Sequence, residues 1–166
     1  LVIKNSENAG FESRQDICLM GMVKRIVNNP NLSNIPFLIG GIFVFGLQYL
    51  RISQFKNLAY RLLILASTVI FTVIFSSGSE SPTYIIAFLG VAVWFVIQPK
   101  PVSKYKIGLF IFALLLTSLS PSDLFPKYIK TQYVYPYALK ALPCVIIWFV
   151  IVYEKLKKKF NRYITI

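Results

Sequence analysis

Five apolar stretches, 35–50, 58–75, 84–97, 107–119 and 138–153, divide the chain, and basic residues collect in alternate gaps between them. In hydrocarbon only helices and closed barrels satisfy every backbone N–H and C=O internally. These runs lack the polar alternation of a barrel strand, so the expected class is all-α: a polytopic helical membrane protein with about five transmembrane helices. A bilayer core of about 30 Å takes roughly 20 helical residues. The 58–75 run nearly reaches that length. The 84–97 and 107–119 runs cover only about 20 Å, so their flanks extend them or one is re-entrant and shielded by protein.

Composition agrees with embedding: 56% of the 166 residues are hydrophobic and 16% aromatic, and mean hydropathy is +0.63, well above a soluble domain. The net charge of +12 does not point to nucleic acid, because the positives flank apolar runs and build no recognisable nucleic-acid module. Their expected partners are the headgroups of membrane lipids. Arg51, Lys56 and Arg61 fill the first gap, Lys100, Lys104 and Lys106 the third, and Lys155, Lys157, Lys158, Lys159 and Arg162 follow the last run; gap 76–83 has no basic residue. The positive-inside rule then puts the first and third gaps and the C-terminus in the cytoplasm. Lys4, Arg14, Lys24 and Arg25 would lie on the outer face and oppose that bias. Three segments follow: 1–34, an extracytoplasmic polar segment with an amphipathic interfacial helix; 35–153, the transmembrane bundle; and 154–166, a basic cytoplasmic tail.

The absence of histidine excludes a Ser-His-Asp or Cys-His nucleophile in this chain. Cys18 and Cys144 are far apart in sequence and, without histidine, make neither an expected disulfide nor a zinc site. Residues 17–27 fit an amphipathic helix with Leu19, Met20, Met22, Val23, Ile26 and Val27 on one arc, ended by Asn28, Asn29 and Pro30. In the Glu80 gap, Ser81 suits an N-cap and Pro82 a first helical position. The chain opens at Leu1 without initiator Met or signal peptide and reads as a fragment of something longer.

The candidate site residues each carry two readings. Glu80, the lone acid between the first and fourth runs, is a carboxylate facing an outer cavity or a solvated turn residue complementing a helix dipole. Asp123 with Lys127 and Lys130 binds a phosphate or sugar, or forms exposed local pairs. Lys24 and Arg25 grip a lipid-linked phosphate, or anchor α-helical structure to headgroups. The tyrosines 128, 133, 135 and 137 stack on sugar rings or form an interfacial belt. Arg61 and Lys140, near the ends of runs, are expected to snorkel, and 155–159 to anchor in the cytoplasm.

In order, the stretches Gln15-Asp16-Ile17-Cys18-Leu19-Met20-Gly21-Met22-Val23-Lys24-Arg25-Ile26, Ser79-Glu80-Ser81-Pro82-Thr83-Tyr84-Ile85-Ile86-Ala87, and Leu124-Phe125-Pro126-Lys127-Tyr128-Ile129 with Lys140-Ala141-Leu142-Pro143-Cys144 resemble the C-terminal part of glycosyltransferase family 87, especially the branch common in Bacteroidetes-type bacteria. The resemblance implies a GT-C-like bundle in the bacterial inner (plasma) membrane, with a cavity on the extracytoplasmic face. It further implies a polyprenyl-phosphate sugar as donor, usually mannose, a glycan or lipid hydroxyl as acceptor, and no cofactor. Family members carry the general-base aspartate in their first extracytoplasmic loop, which has no counterpart in this chain. On this reading Glu80, Asp123, Lys127, Lys24, Arg25 and Tyr84 bind substrate, no catalytic residue or metal ligand is assigned, and the segment alone is inactive. A membrane transporter or lipid flippase component is the alternative from another class, and a non-catalytic membrane scaffold a third.

Overall fold

The computed structural model describes residues 17–120, 122 and 125–158, apart from the side chain of Ile52. Every regular element among these described residues is helical: α1 (Leu19–Val27), α2 (Ile35–Leu47), α3 (Leu58–Ile74), α4 (Tyr84–Val96), α5 (Lys104–Ala113) and α6 (Leu142–Lys157). Tight 3-10 turns at Gln48–Leu50 and Ile52–Lys56 join α2 to α3, and another at Ser81–Thr83 leads into α4. Wider π-turns carry α5 on through Leu114–Leu119; Lys127–Ile129, Lys130–Val134 and Leu139–Ala141 are single turns before α6.

Local chemistry sets these ends. Asn57 caps α3 by accepting from Ala59 N at 2.9 Å. The Cys18 thiol accepts from Gly21 N at the start of α1, and Asn28 closes that helix in the left-handed region at φ 56°. Prolines stand in the first turns of α2 and α6, where a missing N–H costs nothing. The last apolar run begins its helix later than expected, because buried Ala138 adopts φ 51°, which an α-helix cannot contain. That helix also runs past Tyr153 to Lys157, so the first residues assigned to a basic tail are its final turn. Arg51 Nη1 holds the turn closed by donating to the carbonyls of Lys155, Leu156 and Lys158 at 3.0, 3.1 and 2.8 Å.

The core lies where α3, α4 and α6 meet. On α3, Ala59, Leu63, Ala66, Ile70 and Val73 are buried at alternating spacings of four and three, a single stripe along one face. It packs on Ala87, Gly90, Val91 and Trp94 of α4 and on Cys144, Ile147, Trp148 and Ile151 of α6. The outward faces are apolar too: Phe43 is 67% exposed, Ile85 76% and Val96 76%. No single described helix is long and apolar enough to cross a membrane, although one pair, Lys127–Val134 with Leu139–Lys157, reaches that length and composition across a 94° bend. The helices alternate in direction, so 48–60, 94–106 and 154–158 gather at one end of the bundle. The segments around Ile17, 73–84, Thr117 and 135–144 gather at the other.

Gly90 is the tightest point of the α3–α4 seam, since a Cβ there would sit 2.9 Å from the Ala66 carbonyl oxygen and 2.8 Å from Ile70 Cγ1. Gly90→Ala should cost about 1–3 kcal/mol, as overpacking does. Gly46→Ala, with nothing within 4 Å, should instead gain up to about 1 kcal/mol from helix propensity. Thermal unfolding of the purified variants checks both; equal midpoints would refute the seam.

Candidate functional site

The end that carries most sequence candidates is organised by a buried lysine. Lys140 is 4% exposed, and its Nζ donates to Ser81 O at 2.8 Å and to Ser81 Oγ at 2.6 Å. It also lies 5.6 Å from the centroid of the Tyr84 ring. Tyr84 is buried, and its hydroxyl donates to Ile17 O at 2.6 Å. Ile17 N in turn donates to Ser79 O at 2.9 Å, while Ser79 Oγ donates to Val73 O at 2.6 Å. Thr117, in the π-turns after α5, donates to Lys140 O at 3.3 Å and lies 3.7 Å from Cys144 Sγ. Arg25 Nη1 reaches Tyr135 O at 2.8 Å, which fastens α1 over the same end. Cys18 and Cys144 are both buried and form no disulfide.

The expected site residues are therefore divided. Tyr84 and Arg25 join the network, and Glu80 adjoins it through Ser81. Glu80 is exposed, occupies the N-cap position of the Ser81–Thr83 turn in extended conformation, and makes no capping bond. Lys127 is exposed at the start of a single turn, and Lys24 is half-buried in the last turn of α1, where it complements the helix dipole. Among the described residues the side chains of Glu80, Lys127 and Lys24 form no hydrogen bond or ion pair. Asp123 lies outside the described residues. Lys140, expected to snorkel, instead points inward, because Ser81 offers two oxygens under cover of the turn. The available signal was its place within Lys140-Ala141-Leu142-Pro143-Cys144, one of the stretches that carry the resemblance.

The opposite end holds the second polar cluster. Glu154 is 2% exposed and ion-paired to Lys106, and to Lys158 at 2.5 Å. It accepts from Trp94 Nε1 at 3.1 Å and Gln98 Nε2 at 3.4 Å, and Gln98 accepts from Lys106. Burial pushes the carboxyl up, but the hydrogen bonds and charges of Lys106 and Lys158 outweigh it and hold it below its ordinary value. Beside it Lys155 is fully buried, not the solvated anchor expected from its neighbours in sequence; its Nζ donates to Gln48 Oε1 at 2.5 Å. Tyr60 completes this corner by donating to Gln48 O at 2.5 Å. Both groups lie beyond the apolar run that ends at Tyr153. Helical spacing puts 147, 151 and 154/155 on one buried face, a signal that the charge pattern masked.

No protein-family model, curated protein or solved structure matches this chain.

Removing the acid of the second cluster strands two cations. Glu154→Gln should destabilise the bundle by about 3 kcal/mol, the low end for a broken buried pair because Lys158 keeps some water contact. An unchanged thermal midpoint would contradict the network. Burial alone pushes Lys155 down to about 7, below its value in the unfolded chain, so protonation opposes folding. The folded state should gain stability as pH rises from 7 towards 10, and lose it as pH falls through 7. Lys155→Met should show a flatter midpoint-versus-pH curve over that range; parallel curves would rule out the assignment.

Proposed function

We propose that this chain is the C-terminal part of an integral membrane glycosyltransferase with a GT-C-like helical bundle. The enzyme moves a sugar, mannose by expectation, from a polyprenyl-phosphate donor to a hydroxyl of a glycan or lipid acceptor on the extracytoplasmic face. One observation carries the reading: the three stretches that resemble glycosyltransferase family 87, separated by tens of residues, converge at one end of the bundle. Ile17 bonds Ser79 and Tyr84, and Lys140 bonds Ser81; Arg25 bonds Tyr135, which lies between the two parts of the third stretch. The alternation of helix direction brings these segments to one end, and buried polar contacts join them there.

Membrane embedding is supported by helices that are apolar on both buried and exposed faces, and by basic gaps that share one end. The protein then lies in the bacterial plasma membrane with several passes. Its C-terminus and the Glu154 cluster are cytoplasmic, and the Lys140 end is outside. In the transfer, the sugar's C1–O bond to phosphate breaks as the acceptor oxygen bonds to C1, and the acceptor proton goes to a base supplied by the remainder of the protein. Glu80, exposed beside Ser81, is suited to accept hydrogen bonds from acceptor or sugar hydroxyls. Lys24, Arg25 and Lys127 serve as binding residues at the rim, Tyr84 supports them from below, and Asp123 is assigned to substrate by the resemblance alone.

The alternative, a membrane transporter or lipid flippase component, draws support from the buried charges of Lys106, Glu154 and Lys155. These sit at the helix ends, whereas transport sites lie near the bilayer midplane.

Membranes bearing the full-length parent protein, supplied with radiolabelled polyprenyl-phosphate mannose, should transfer label to a new product. Glu80→Gln and Arg25→Ala should slow turnover by about tenfold or more if they position substrate. Wild-type turnover in both variants would remove those roles. Absence of transfer from any lipid-linked sugar, with substrate flux in proteoliposomes, would reverse the ranking.

A further inference from the structure

The chain turns through a right angle just before α6. The turns at 127–134 run at 94° to the helical stretch that follows them, and Ala138, at φ 51°, breaks the helical path between the two. This crosspiece is pinned along one side. Val134 and Ala138 are buried, and Arg25 Nη1 of α1 donates to Tyr135 O at 2.8 Å. Its other sides face outward: Tyr128 is 70% exposed and Tyr133 52%, with Ile129, Tyr135 and Tyr137 exposed beside them.

The outward surface is amphipathic at the level of single side chains. Each tyrosine carries an apolar ring with a hydroxyl at its tip, and residues 125–137 add two lysines and no acid. Much of the polar bonding is kept internal. Lys130 N donates to Pro126 O, Tyr135 N to Lys130 O and Ala138 N to Tyr135 O, at 3.1, 3.0 and 3.3 Å. Thr131 Oγ1 turns back onto Lys127 O and Tyr128 O at 2.9 and 3.2 Å. A backbone bonded in this way tolerates a poorly hydrated setting. At its Arg25 contact α1 adds two exposed aliphatic residues, Ile26 and Val27.

We propose that the 127–137 crosspiece is seated in a lipid surface, lying in the membrane plane at headgroup depth, with Tyr128, Ile129 and Tyr133 against the acyl boundary. A helix that crosses a bilayer stands near the normal, so a segment perpendicular to α6 at its outer end lies parallel to the surface. Rings with polar tips suit that layer, and the two lysine charges favour anionic headgroups. A sugar-stacking platform surrounds its ring faces with polar partners, whereas aliphatic Ile129, Ile26 and Val27 stand among these rings. The inference rests on the membrane-embedded reading of the bundle and is independent of sugar transfer.

Depth-dependent fluorescence quenching tests it. The full-length parent protein, with Cys18 and Cys144 replaced by serine, carries a bimane label at Tyr128→Cys, Tyr133→Cys or, as a mid-span reference, Leu89→Cys. Each is reconstituted in phosphatidylcholine vesicles with and without phosphatidylglycerol. Labels at 128 and 133 should lose most of their emission to a nitroxide at the lipid headgroup and less to one near the chain end; the label at 89 should show the reverse order. Phosphatidylglycerol should deepen the loss at 128 and 133. If the serine replacements unfold the protein, the two native thiols, both buried, stay in place and labelling of the folded protein is confined to the introduced position. Labels at 128 and 133 that only aqueous iodide quenches, with 89 quenched by lipid, would overturn the seating and leave the embedded bundle standing. Strongest quenching at 128 and 133 by the deep nitroxide would overturn the headgroup plane, and equal loss in both lipid mixtures the anionic preference. Lipid quenching at none of the three positions would remove the membrane reading and the seating with it.

Discussion

The hydrogen bonds from Lys140 to Ser81 decide how one end of this bundle is built. They bring the turn that opens α4 against the turn that opens α6, two helices that begin about sixty residues apart. Tyr84, one residue past the Ser81 turn, underlies the ammonium with its ring and fixes Ile17 with its hydroxyl. The α1 helix is thereby tied to the same spot, and Arg25 at its far end is tied to Tyr135. A buried ammonium is a poor source of stability, because its desolvation offsets much of what its hydrogen bonds return. What it gives is a fixed positive charge under a thin cover of serine, at the place where segments from across the chain meet.

The other end solves a different problem with the same residue types. There Glu154 balances Lys106 and Lys158, Trp94 and Gln98 complete its hydrogen bonds, and Arg51 closes the last turn of α6. This cluster is nearly saturated with partners and acts as a clasp between α4, α5 and α6. Each end nevertheless keeps a buried lysine whose hydrogen-bond partner is neutral, Lys155 on Gln48 and Lys140 on Ser81.

Much of the fold was legible in the sequence because periodicity and caps speak locally. All five apolar runs became helices, and the amphipathic segment became α1, ending at Asn28 as its turn residues predicted. The misplaced boundaries have tertiary causes. Ala138 takes a left-handed conformation with no glycine or asparagine to announce it, and α6 outlasts its apolar run because Arg51, over a hundred residues away, receives its final carbonyls. The site was legible in part. Glu80, Arg25 and Tyr84 drew notice from their neighbours in sequence, whereas Lys140, Lys155 and Glu154 look like ordinary flanking charges until their partners are known. Burial of a lysine depends on who faces it, and composition carries no record of that.

Everything proposed for the two ends requires that they lie on opposite sides of a membrane. The direct test is labelling by a membrane-impermeant maleimide in bacterial spheroplasts, with Cys18 and Cys144 replaced by serine and single cysteines introduced as Ser77→Cys and Lys100→Cys. The account predicts that the position at 77 reacts from outside and that the position at 100 reacts only after permeabilisation. Labelling of both from outside, or of 100 and not 77, would contradict it.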